Sequence, residues 1–156
     1  MERRQFLTAL GATIVPATGC LGGQPPEATD TPTGTPLPPG SVDFPDGPKD
    51  RPERPSPLTE TAVREYVATH EYRYAYNSLW MNEHTDVTLD CRVDSVTDEP
   101  WGYEAVVTCT GYSNTNLPES PTGTPGVHAD WFTQSFRYRV SETATHRERV
   151  EPRDPV

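Results

Sequence analysis

Lysine is nearly absent from this chain: Lys49 stands alone among 156 residues, against twelve arginines and 23 acidic side chains, for a net charge of −10. The arginines are scattered, so no basic stripe exists to release counterions from phosphates, which argues against a nucleic-acid partner. Large apolar runs are missing too. The longest, residues 7–19, includes Pro16 and falls short of the ~20 residues that a membrane-spanning helix needs. No HExxH, CxxC, paired-His or EF-hand spacing occurs, and no GxSxG, P-loop or dinucleotide fingerprint. The expectation is therefore no dedicated metal site, no cofactor and no motif-encoded catalytic centre.

What is present begins at the N-terminus. Arg3-Arg4-Gln5-Phe6-Leu7 opens a charged segment, an apolar run follows, and Ala17-Thr18-Gly19 stands before Cys20. That is the layout of a cleaved export signal. The segment Arg3, Arg4, Phe6, Leu7 resembles the twin-arginine export motif, which implies translocation of a folded chain. Ala17-Thr18-Gly19-Cys20 is similar to the lipobox of bacterial and haloarchaeal lipoproteins, which implies cleavage before Cys20 and thioether lipidation of its sulfur. Glu2 stands where the first pattern prefers Ser or Thr, and Ala17 where the second usually has Leu. One lysine in so acidic a chain also resembles the proteins of salt-loving archaea. In such brine the Debye length is roughly 3 Å or less, so repulsion among the carboxylates is screened. The resemblance, to haloarchaeal twin-arginine-exported lipoproteins, is confined to the signal region and this composition. It implies attachment to the cell membrane on its extracytoplasmic face, with the bilayer as partner through the lipid on Cys20.

Four regions follow: an export signal at 1–19, a lipidated Cys20 with a disordered tether to 57, a small domain at 58–150, and a tail at 151–156. The tether holds eleven prolines between 21 and 57 and too few large apolar side chains to form a core. Its Pro-rich composition gives a reach between roughly 30 Å as a coil and 110 Å fully extended.

In the domain, 58–79 reads as a helix, with Thr59 as N-cap, Glu60 in the first turn and Leu58 stapled on Val63. Val63, Val67, His70 and Tyr74 share a face that should rest on a sheet. Residues 87–96 and 103–112 alternate as two strands around the hairpin loop 98–102. If Thr97 pairs with Tyr103, Val93 meets Val107 and Cys91 meets Cys109 on one face, close enough for a disulfide. A pair of reduced core cysteines is the alternative. The bridge would contribute toward the lower part of ~2–4 kcal/mol, because its loop is already zipped. Phe132, Gln134, Phe136, Tyr138 and Val140 alternate as a third strand, and 143–150 returns as a weaker fourth. The predicted fold is α+β: one N-terminal helix on a three- to four-stranded antiparallel sheet, order α-β-β-β-(β). It resembles cystatin-like domains at the level of fold class, a likeness that carries no function.

Residues 113–126 read as an irregular connection rich in Asn, Pro, Gly, Thr and Ser, a type that is usually disordered and sometimes binds. Its flanks, Tyr112, His128 and Trp131, are the candidate binding residues, for a surface protein partner. The role expected is a surface-tethered binding or structural module. The alternative is an exported hydrolase or metal-dependent enzyme using His84, Asp86 or His128, the polar clusters nearest to chemistry. If Cys20 stays unmodified, a soluble exported protein is the third reading.

Overall fold

The computed structural model describes residues 35–116 and 126–150. Arg3, Arg4, Phe6, Leu7 and Cys20, the middle of the 113–126 connection and the tail 151–156 lie outside the described residues.

One helix, α1 (Glu60–Leu79), precedes four strands: β1 (Thr85–Glu99), β2 (Gly102–Thr115), β3 (Val127–Val140) and β4 (Thr145–Val150). The strands form one antiparallel sheet in chain order, with α1 packed on one face. The expected α-β-β-β-(β) order is therefore found, with the weaker fourth strand present. The helix starts where its cap is: Thr59 Oγ1 accepts from the Ala62 amide at 3.2 Å, satisfying a donor that the first turn leaves open. Val63 and Val67 on α1 meet Ala105, Val107, Cys109, Tyr138 and Val140 of the sheet, all wholly buried, with Leu58 packed at the edge.

Cys91 and Cys109 lie opposite each other and form a disulfide, as the alternation of β1 and β2 predicts. The hairpin itself differs from expectation. Its loop is only Pro100-Trp101, so Thr97 pairs with Glu104 rather than Tyr103. A bulge at Asp94 absorbs the one-residue offset and restores the pairing of Val93 with Val107. Gly102 closes the turn at φ +146°, and a Cβ there would lie 2.3 Å from the Val140 carbonyl oxygen. Glycine is required on both counts.

A second bulge, between β2 and β3, overturns the expected alternation of the third strand. Cys109 pairs with Gln134 but Gly111 with Trp131, so β3 carries one extra residue at Phe132-Thr133. Because strand side chains alternate with a period of two, one added residue swaps the faces beyond it. Trp131 turns toward the core and Phe132 projects outward, 76% exposed. The connection after β2 is also shorter than predicted: β2 continues to Thr115 and β3 begins at Val127, so residues 113–115 belong to the sheet.

The largest departure concerns residues 35–57, assigned above to a disordered tether. They form a strap fastened to the domain. The Gly40 carbonyl accepts from the Thr145 amide at 2.9 Å, and His146 Nε2 bonds the Pro38 carbonyl at 2.9 Å. Asn77 clamps the strap from α1, donating to the Pro45 and Lys49 carbonyls at 2.9 and 2.8 Å while accepting from the Lys49 amide at 3.1 Å. Phe44 inserts edge-on against His70 and Tyr74. Proline removes amide donors but leaves the carbonyls, and it is mainly carbonyls that the domain's side chains hold here. A Pro-rich segment that cannot build its own core thus borrows one.

Candidate functional site

On α1, the residues Val63, Val67, Glu71 and Ala75 recur every fourth position, and all four are wholly buried. A carboxylate therefore occupies a core position. Its partner comes from β4, where residues 145, 147 and 149 face the helix because they pair with Val140, Tyr138 and Phe136. Arg147 meets Glu71 through Nε to Oε2 at 2.7 Å and a second nitrogen to Oε1 at 2.8 Å. The guanidinium is sandwiched between two rings, with Cζ 3.9 Å from the Tyr74 centroid and 3.5 Å from that of Phe136. The fork geometry and the aromatic faces both favour the cation. Burial works against the charged guanidinium, but the hydrogen bonds and negative charge of Glu71 outweigh it, and Arg147 is raised above its ordinary value.

Tyr138 adds a third bond, donating to Glu71 Oε2 at 2.7 Å. Burial first, then the charge and hydrogen bond of Glu71, push its phenol far above the ordinary range. The same oxygen lies 3.0 Å from His70 Nδ1. Since the Tyr138 proton is already given to the carboxylate, its oxygen must accept from His70. His70 is thereby the Nδ1–H tautomer, with Nε2 carrying a lone pair. Burial, followed by the positive charges of Arg51 and Arg147, lowers His70 to about 4, so the ring is neutral near pH 7.

Next to this network lies a cavity of about 310 Å³ between the strap and the seam of α1 with β4. Its walls include Arg51, Glu53 and Arg54 from the strap, Tyr66 and His70 from α1, and Thr145 from β4. Tyr66 and Thr145 share a hydroxyl hydrogen bond of 3.0 Å, and Arg54 Nε donates to Thr145 Oγ1 at 3.2 Å. Arg54 also donates to the Glu142 carbonyl at 2.8 Å, and Arg51 to that of Val42.

The residues singled out in the sequence lie elsewhere. Tyr112 and His128 come together on the sheet face opposite α1, ring centroids 5.8 Å apart. Trp131 does not join them: it faces the core, 6.4 Å from Phe136. His128 has both ring nitrogens engaged, by Asn114 Oδ1 at 2.8 Å and Asp130 Oδ1 at 3.0 Å, which leaves neither free for proton abstraction. His84 sits beside Glu83 in the turn before β1, and Asp86 accepts weakly from Asn116 at 3.4 Å. Among the described residues, no three His, Cys, Asp or Glu side chains converge as a metal site would require.

Sequence reasoning missed Glu71, Arg147, Tyr138's hydroxyl role and the whole cavity. One signal was on hand, the acid continuing the Val63, Val67 line at the same interval. The identity of its partner depends on strand pairing and had no local mark. Comparison with known proteins finds no matching family model, no matching curated protein and no matching solved structure.

Proposed function

We propose that this chain is a lipoprotein held on the extracytoplasmic face of the cell membrane through a lipid on Cys20, and that its folded head acts by binding. The carrying observation is the order of parts: a twin-arginine-like segment, an apolar run, small residues before Cys20, and, downstream, a folded head. Two features of the head support the binding role. Its buried charged pair, Glu71 and Arg147, is consumed by mutual hydrogen bonding beneath α1, whereas the adjoining cavity is lined with polar side chains. Among the described residues no helix is long and apolar enough to cross a membrane.

The strap changes the geometry of such an anchor. Contacts to the head begin near Pro38 among the described residues, so the chain from Cys20 to Pro38 spans at most about 65 Å even fully extended. A tether running to residue 57 would reach roughly 110 Å.

Intact mass of the protein extracted from native membranes tests this reading. The expected mass lacks residues 1–19 and exceeds the remaining chain by a lipid, and Cys20→Ser moves the protein into the aqueous phase on detergent partition. A chain that retains its first residues with a bare Cys20 thiol removes the proposal.

A further inference from the structure

The cavity under the strap has a chemistry that selects among ligands. Its volume, about 310 Å³, is roughly ten times the ~30 Å³ share of one water in the liquid and sits at the small end of organic ligand sites. In a chain of net charge −10, two of its wall residues are arginines and one is a glutamate, a local reversal of sign that attracts anions. Each guanidinium has five N–H donors. Arg51 spends one on Val42, and Arg54 spends two on Thr145 and Glu142, so both retain donors.

His70 supplies the opposite requirement. Its Nδ1 is committed inward to Tyr138, no described residue bonds Nε2, and the ring borders the cavity while only 1% exposed. Among the described residues this lone pair has no partner, so it can accept from a donor hydrogen on the cavity side. The Glu71–Tyr138–His70 chain fixes this polarity, because reversing the His70 tautomer would set the lone pair of Nδ1 against those of the Tyr138 oxygen. A ligand that fits therefore carries both an anionic end and a hydroxyl within the space that the arginines and His70 border.

We propose that this cavity binds a small hydroxylated carboxylate, of the sugar-acid type, whose hydroxyl donates to His70 Nε2 and whose carboxylate is met by Arg51 and Arg54. The proposal rests on the reading of the head as a binding module and names its ligand class. Tyr66 and Pro52 offer apolar wall to the carbon chain between the two ends, and Glu53 at the same wall disfavours a second negative charge.

The test uses the full chain, extracted in detergent and labelled with 15N-histidine, titrated with gluconate at constant ionic strength. The expected result is a saturable shift of the His70 Nε2 resonance, with acetate, which lacks the hydroxyl, leaving it in place. Arg51→Gln, a change at an exposed strap position, should weaken apparent gluconate affinity about three- to tenfold, one guanidinium–carboxylate contact being worth about 1 kcal/mol at an exposed site. A His70 resonance unmoved at the highest attainable gluconate concentration overturns the proposal, as does an equal response to acetate. The resonance is indifferent to the state of Cys20, so an unlipidated protein that shifts on titration would refute the anchor and leave the cavity assignment standing.

Discussion

Glu71 and Arg147, 76 positions apart, meet beneath α1 through two charge-assisted hydrogen bonds of 2.7 and 2.8 Å. The pair joins the middle of the helix to the edge strand β4, and Tyr138 and His70 hang from it in a line. Enclosed ion pairs are a weak source of net stability, since desolvation offsets attraction, but their disruption is severe because one charge is left alone.

Glu71→Gln should accordingly destabilise the fold by about 3–5 kcal/mol, read from denaturant unfolding at the protein's working salt. Replacing both partners, Glu71→Leu with Arg147→Met, should recover most of that loss. A single variant within 1 kcal/mol of the parent, to the accuracy of about 0.5 kcal/mol usual for such comparisons, would show that the pair is not enclosed as described.

His70 introduces a pH dependence. Its native value of about 4 lies below the ordinary 6.5, so as pH falls through this interval the unfolded chain takes up a proton that the native state refuses. Stability attributable to His70 is thus present above pH 6.5, declines toward pH 4 and is gone below it, amounting to about 3 kcal/mol. The midpoint of thermal unfolding, followed from pH 7 to pH 4, should fall more steeply in the parent than in His70→Gln. Parallel curves would contradict the depressed value.

Asn77 makes three hydrogen bonds to the backbone of the strap. Asn77→Ala leaves those groups without their partner and should cost about 1–3 kcal/mol. Faster amide exchange should be concentrated at residues 41–52, with β2 and β3 unaffected. Uniform acceleration across the domain would mean that the strap is not a separable layer.

Phe132 separates the observed packing from the simple alternation of β3. Its outward position predicts that Phe132→Ser changes stability by no more than about 0.5 kcal/mol, whereas Phe136→Ala on the core face costs about 3–5 kcal/mol. Comparable losses at the two sites would return Phe132 to the interior.

The hairpin shows how far local pattern reaches. Pairing Thr97 with Tyr103 was off by one, yet Cys91 still faces Cys109, because the shorter loop and the Asp94 bulge offset each other. Hydrophobic alternation marks which side of a strand is buried on either side of a bulge, and so it located the disulfide without locating the turn. No such compensation occurs at Phe132-Thr133, where the extra residue reversed the expected face of Trp131 and separated it from Tyr112 and His128.

Sequence alone determined the elements whose causes are local: the Thr59 cap, the period of α1, the alternation of β1 and β2 with their facing cysteines, and the α-β-β-β-β order. Only the tertiary structure decided what the polar residues do. Glu71 at a helix core position, Arg147 on an edge strand and a Pro-rich strap without an apolar pattern each read as solvated when taken singly. Their burial follows from partners as far as 108 positions distant. A hydrogen-bond partner, unlike a hydrophobic period, leaves no trace in the neighbouring sequence, so the cavity between the strap, α1 and β4 exists only once the chain has closed around it.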